Sequence, residues 1–287
     1  MNAEVLLMFV LGVGRAYLYA HPERDLTPEE ETRYTEILAQ RAIGMPSQYI
    51  TGHQEFWGLD FVVSPAVLIP RPETEHLVEA VVELARGMQH PTVVDVGTGS
   101  GCVALALAHE LKDAEIYGVD LSPDALEIAR ANAARLQLEK QVRFLRSDIL
   151  AVMPGEGLDP SQGSRPMLFH DFDFVVSNPP YVAFSEADKV QKSVFEFEPR
   201  LAVFAGENGL DVIRPLIEQG HQALKTGGSL VLEIGYSMQD VVLNLFRSTM
   251  WDEPNVLPDL QGIPRVVSAR KRSMPEVSHS GEHHSQS

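Results

Sequence analysis

The sequence predicts an α/β protein, a doubly wound parallel sheet preceded by a small helical N-terminal piece. Three observations predict it. Between residues 92 and 246, short runs rich in Val, Ile and Phe alternate with helix-period stretches, the pattern of strands joined by crossover helices. The first run leads into a glycine-rich turn, Gly97, Gly99 and Gly101, and a helical pattern follows it. The chain has 287 residues, 44% of them hydrophobic, enough for one large core with a smaller one beside it.

Residues 3–11 read as a short helix. Residues 5–13 are apolar in the manner of a secretory signal core, but Glu4 precedes them, no Lys or Arg does, and Arg15 follows, so secretion is not expected. Thr27 caps a second helix, Pro28 suits its first position and Glu30 completes a capping box. Tyr34, Ile37, Leu38, Arg41 and Ala42 then trace one face before Gly44 ends it. Residues 49–61 read as a hairpin-like connection and 62–69 as a further extended stretch, up to Pro70-Arg71-Pro72. Pro72, Glu73 and Glu75 open a helix with a stripe of Leu77, Val78, Val81, Leu84 and Ala85, stopped at Gly87.

Strands are expected at 92–96, 115–119, 142–145, 172–176, 229–234 and 265–269. Helices are expected at 101–111, from Ser122 and Pro123 onward, at 209–224 and at 239–246. Residues 153–170, rich in Gly, Pro and Ser, read as a loop insertion. The organisation that follows is a helical N-terminal domain at 1–45, a linker with a hairpin-like segment at 46–72, a sheet domain at 73–270 and a polar, disordered tail at 271–287.

The formal net charge of −17 argues against affinity built on neutralising phosphates, so no direct nucleic acid partner is expected. No run approaches the length of a membrane span, so neither is a membrane. The single cysteine, Cys102, excludes an internal disulfide and a thiolate metal cluster and fits a reducing, cytoplasmic home. No metal is expected, and His279, His283 and His284 read as part of the polar tail.

Two constellations carry chemistry. In Ser177-Asn178-Pro179-Pro180-Tyr181 the prolines lack N–H groups and end the preceding strand. Asn178 is held on a rigid turn at the carboxyl end of the sheet, where ligands of such sheets bind. Its amide and the neighbouring carbonyls suit the N–H groups of a planar amide or exocyclic amine, with Tyr181 to stack on it. Taken alone, the stretch is an ordinary Pro-Pro turn.

The second constellation is Asp95-Val96-Gly97-Thr98-Gly99-Ser100-Gly101. A dinucleotide fingerprint starting at Gly97 requires glycine at 102, where Cys102 stands. The G-x-G-x-G spacing with Asp95 two residues ahead suits the ammonium group of an amino-acid-like cofactor, and it resembles motif I of the class I S-adenosylmethionine-dependent methyltransferases. Asp120, some 20 residues on, is placed to bond both hydroxyls of a ribose, though it also suits a helix cap. Asp148 and Ile149, after the third strand, suit an adenine amino group and ring face, or a turn. Cys102 has no neighbouring base to activate it and reads as packing.

The combination of Pro46, Gln48-Tyr49-Ile50, Gly52, Phe56, Gly58, the run Leu68-Ile69-Pro70-Arg71-Pro72-Glu73-Thr74-Glu75, the glycine loop and Asn178-Pro179-Pro180-Tyr181 resembles the HemK/PrmC family of release-factor glutamine methyltransferases. Glu198-Pro199, Gly206, Gly209-Leu210, Glu233, Gly235, Asp259, Gly262 and Arg265 extend the resemblance over about residues 3–270. It implies a Rossmann-like methyltransferase sheet, S-adenosyl-L-methionine as cofactor, and peptide chain release factors as protein substrates, methylated on the Gly-Gly-Gln glutamine. It also implies that Asn178 and Pro179 grip the substrate amide, that Pro180 and Tyr181 shape its pocket, and that Asp95, Gly97, Thr98, Gly99, Ser100, Gly101, Asp120, Asp148, Ile149 and Asn178 surround the cofactor. Arg71 and Glu73 are implied at the entrance. The helical piece is shorter than the family's, which implies either weakened docking or an assigned start downstream of the real one. Two alternatives share the motifs: an amino methyltransferase acting on DNA or RNA, disfavoured by the acidic charge, and a silent cofactor-binding scaffold.

Overall fold

The computed structural model describes residues 2–152, 170–247 and 250–273. Helices α1 (Asn2–Leu11), α2 (Arg15–Ala20), α3 (Pro28–Ala42) and α4 (Ser47–Thr51) come first. Leu6 and Val10 of α1 pack on Ile37 of α3, with Phe9, Tyr34, Leu38 and Ile50 around them. The capping box is present: Thr27 Oγ1 accepts the Glu30 N–H, and Glu30 accepts the Thr27 N–H. Helix α2 was not expected. Residues 49–51 are helical rather than part of a hairpin, because Pro46 caps a short turn of helix that Gly52 ends at φ 77°.

The hairpin itself pairs β1 (His53–Phe56) with β2 (Leu59–Val62) through Trp57-Gly58, both at positive φ. Residues 63–71 form an irregular strap rather than a strand, pinned where the Tyr49 hydroxyl donates to the Val67 carbonyl at 2.6 Å. A 3₁₀ turn, Pro72–Thr74, feeds α5 (Glu75–Leu84), whose Leu77, Val78 and Val81 are buried. Leu84 is exposed, against the stripe read from spacing, because the buried face runs through Leu77, Val78, Val81 and Ala85 and leaves it on the rim.

The sheet domain continues with β3 (Thr92–Val96), α6 (Cys102–Glu110), β4 (Glu115–Asp120), α7 (Pro123–Leu136), β5 (Val142–Asp148) and β6 (Ala151–Val152). After the undescribed stretch come β7 (Phe172–Ser177), α8 (Lys192–Phe197), α9 (Arg200–Val203), α10 (Ile213–Ala223), β8 (Leu224–Glu233), α11 (Gln239–Leu245), β9 (Asn255–Pro258) and β10 (Pro264–Arg270). The eight strands lie in the order β6-β5-β4-β3-β7-β8-β10-β9. Strands β5, β4, β3, β7 and β8 are parallel, while β6 and β10 run against their neighbours, so the doubly wound sheet is mixed at its edges. At one edge the cause is a tight turn in which Asp259 Oδ1 accepts the N–H groups of Gln261 and Ile263, folding β10 back beside β9.

Helices α5, α6 and α7 cover one face of the sheet together with Phe56 and Phe61 of the hairpin. Helices α10 and α11 cover the other, with Trp251 beneath Phe246. Helix α10 begins at Ile213, later than expected, because Gly209 must approach the chain after β7: a Cβ there meets the Tyr181 carbonyl at 2.3 Å. Lys271 still pairs with Trp251, so the sheet domain extends past the start assigned to the tail. The loop expected at 153–170 lies outside the described residues except for His170, and so do His279, His283 and His284.

Candidate active site

The parallel register aligns the carboxyl ends of five strands. Asp95 pairs with Gly118 and Val176, Asp120 with Arg146, and Ser177 with Leu232. Val96, Asp120, Asp148, Asn178 and Glu233 therefore end or follow β3, β4, β5, β7 and β8 along one edge of the sheet.

At the centre of that edge the chain turns through Gly97, Gly99 and Gly101, all at positive φ. The loop is clamped from both sides. The Gly97 and Thr98 N–H groups donate to the Val119 carbonyl, and the Gly99 N–H donates to Asp120 Oδ2 at 2.9 Å. Thr98 Oγ1 donates to Asp95 Oδ2 at 2.6 Å, and the Ala104 N–H reaches the same oxygen at 3.2 Å. Gly118 makes room for this loop: a Cβ on it stands 2.5 Å from the Phe144 ring and 2.9 Å from Thr98 Oγ1. Burial pushes the Asp95 carboxyl up to about 7. Burial also raises Asp120, whose two oxygens hold the Gly99 and Ser122 N–H groups. Cys102 is pushed up to about 12 by burial and by Asp95, which leaves it without thiolate character.

Two cavities meet here. One is lined by Asp95, Gly97, Thr98, Gly99, Ser100 and Cys102 on the sheet side and by Leu68, Pro70 and Arg71 of the strap, with Thr74 of the 3₁₀ turn after it, on the other. The second is lined by Pro179, Pro180, Tyr181, Val182 and Glu233, with Val190, Val194, Ala202 and Val203. Leu68, Arg71 and Asn178 line both, so Asn178 stands in their common wall.

Asn178 is held firmly. Ser177 Oγ donates to the Val96 carbonyl at 2.6 Å, tying the end of β7 to that of β3. Asn178 Nδ2 donates to Thr74 Oγ1 at 2.9 Å, which leaves Oδ1 without a protein partner among the described residues. The Tyr181 hydroxyl lies 3.5 Å from Glu233 Oε1, and burial beside that carboxyl raises the phenol. Glu233 is itself buried, and its carboxyl is pushed up to about 7 by burial.

The strap is fastened from outside. Arg71 donates to Glu198 Oε1 at 2.5 Å, and the Ile69 N–H reaches Glu198 Oε2 at 3.3 Å, with the Glu198 side chain only 2% exposed. Sequence reasoning assigned no role to Thr74, Glu198 or Glu233; each stood only inside a family motif, and their partners lie 52 to 129 residues away. Asp148 and Ile149 do not join the glycine-loop cavity. Asp148 is exposed at the end of β5 and Ile149, at φ 55°, turns the chain into β6 and packs on the α10 side.

The first cavity fits S-adenosylmethionine. An exposed Gly97 with open space beside it gives close backbone approach, and a buried acid, Asp95, and a half-buried one, Asp120, flank the loop, while no basic side chain lines the loop side to receive a pyrophosphate. Beside Arg71 and Glu233, the second cavity offers the neutral acceptors of Asn178 and Pro179 and an aromatic wall, which suit an uncharged nitrogen-bearing group.

Comparison with known proteins agrees with this geometry. A PrmC N-terminal domain profile matches residues 1–52, and a methyltransferase domain profile matches residues 89–249. The chain is 54% identical over 94% of its length to a release factor glutamine methyltransferase of Koribacter versatilis, covering 91% of that protein. It is 41% identical over 95% of its length to the enzyme of that name from Moorella thermoacetica, again covering 91%. Among solved structures, a methyltransferase from Pyrococcus furiosus aligns with a TM-score of 0.52 at 16% identity, over 85% of this chain and 99% of that one, a likeness of fold.

Proposed function

The chain belongs to the release factor glutamine methyltransferases, and from that membership we propose that Asn178, in the wall between the two cavities, is the residue on which its reaction turns. The enzyme transfers a methyl group from S-adenosylmethionine to the side-chain amide nitrogen of a release-factor glutamine. We take that glutamine to be the one in the Gly-Gly-Gln motif.

The cofactor supplies, when bound, an electrophilic methyl group on a sulfonium. Gly97, Thr98, Gly99, Ser100 and Gly101 give it a close backbone surface. Asp95 supports that loop through Thr98 and faces its ammonium end, and Asp120 keeps lone pairs for the ribose beyond the two N–H groups it holds. Asp148 and Ile149, further along the same edge past β4, are assigned to the adenine end.

The substrate side follows from amide chemistry. An amide nitrogen is a poor nucleophile because its lone pair is delocalised. Asn178 Oδ1 and the Pro179 carbonyl each accept one amide hydrogen, which orients the nitrogen toward the first cavity and meets the positive charge that grows on it. Pro180 keeps the turn rigid, and Tyr181 walls the pocket. One observation carries this reading: Asn178 is pinned to Thr74 through Nδ2, on the boundary of both cavities, so that Oδ1 is the atom left for a ligand.

Methyl transfer from labelled cofactor to a purified release factor tests it, beside a copy with the glutamine replaced and beside DNA and ribosomal RNA. Label on the intact factor alone is expected. Label on nucleic acid, or on the glutamine-replaced factor, refutes the assignment.

A further inference from the structure

We propose that Glu233, acting through Thr74, sets the polarity of Asn178, so that the carboxamide oxygen and not its nitrogen faces the substrate. The proposal rests on the role given to Asn178 above. A carboxamide is nearly symmetric in shape, so packing does not choose between its two orientations, and a threonine hydroxyl both donates and accepts. The 2.9 Å contact between Asn178 and Thr74 therefore needs a third group to give it a direction.

Sheet register supplies one. Because Ser177 pairs with Leu232, the next residues along the two strands are Asn178 and Glu233. The Glu233 residue is 2% exposed and its Oε2 has no hydrogen-bond partner, so it is open to a donor; Thr74, which shares with Asn178 the wall of the first cavity, is the hydroxyl that favours its ionised form. A carboxylate accepts only. It draws the Thr74 proton toward itself, which leaves Thr74 Oγ1 as the acceptor and makes Asn178 Nδ2 the donor. Oδ1 is then turned to the cavity, where a substrate N–H requires an acceptor.

A protonated Glu233 donates as well as accepts and removes this constraint. Thr74 is then free to donate to Asn178, and a reversed carboxamide sets N–H against N–H. The groups that face the carboxyl are Thr74 and Glu73 from the turn before α5, Tyr181 after β7 and Arg265 on β10; Glu73 favours the protonated form, Arg265 the ionised one. Burial places the exchange near neutrality, at about 7.

The test follows kcat with a release factor on both sides of neutral pH in the unchanged enzyme, Glu233→Gln, Thr74→Ser and Thr74→Val, with cofactor affinity measured by calorimetry and folding by thermal melting. Glu233→Gln is expected to lose about 10²-fold in kcat, to keep cofactor affinity within about threefold, and to lose the acid limb of the profile. Thr74→Val should behave likewise, while Thr74→Ser, which keeps the hydroxyl, should retain most activity. In the protein without substrate or cofactor, the Asn178 side-chain amide signal, assigned through Asn178→Ala, should titrate near neutrality and cease to do so in Glu233→Gln. An unchanged kcat and acid limb in Glu233→Gln overturns the proposal, as does an equal loss of cofactor affinity and kcat, or an Asn178 signal indifferent to Glu233. Failure of the unchanged enzyme to methylate the factor refutes the glutamine reading instead.

Discussion

Asn178 owes its position to its neighbours in sequence and its orientation to residues far from it. The two prolines that follow it stop β7, and the contact with Thr74, in the turn before α5, fixes the side chain. Asn178→Ala removes the acceptor while leaving the glycine loop intact. Its kcat should fall about 10²- to 10³-fold, with cofactor affinity changed by no more than about threefold, in single-turnover transfer and calorimetry. A second prediction concerns stability. Asp95 and Glu233 are both raised by burial to about 7, from ordinary values of 3.8 and 4.5. At mildly acidic pH the folded state keeps protons that the unfolded chain has released, so the unfolding free energy falls as pH rises from about 4 to 7 and levels off above. The combined loss should be a few kcal/mol in denaturant titrations at constant ionic strength, and smaller in Glu233→Gln. Asp120, also raised by burial, adds to the fall; His221, lowered by burial, opposes it; Asp259, held low by the Ile263 N–H, acts only at lower pH. Stability that rises across this window refutes the assignment.

At the scale of elements, the interdigitation of hairpin, α7 and glycine loop runs through Asn132. This fully buried side chain accepts the Val62 N–H at 2.7 Å and donates to the Val62 and Ser100 carbonyls at 3.0 and 2.9 Å. It joins the end of β2 to the cofactor loop in a single group. Asn132→Ala strands buried polar atoms on both and should cost about 2–4 kcal/mol. Cofactor binding should weaken as well, because the Ser100 carbonyl loses its partner, and calorimetry against a denaturant series separates the two effects. The capping box at Thr27 and Glu30 and the Ser122 cap of α7 were readable without the structure, because each closes within three residues.

At the scale of the molecule, the strap at 63–71 is held over the sheet by Tyr49 at Val67 and by Glu198, which grips Arg71 from 127 residues away. Arg71→Ala leaves a carboxylate buried without its counter-ion and should cost about 3 kcal/mol. Loosening of both cavities should also raise KM for the release factor and for the cofactor together, in steady-state kinetics. The sequence by itself determined the alternation of strands and helices, the glycine loop, the Asn-Pro-Pro-Tyr turn and the family they indicate. These are signals of period, capping and local backbone freedom, each confined to one stretch of chain. The short helices α2 and α4, the irregular strap and the antiparallel edges were not legible, since packing and a single Asp259 turn settle them against weak local preference. Only the tertiary structure decided that Thr74 bonds Asn178, that Glu233 follows Leu232 beside it, and that Asn178 divides two cavities. Those contacts depend on the order and register of strands far apart in the chain, and no local property of the sequence specifies which strand lies beside which.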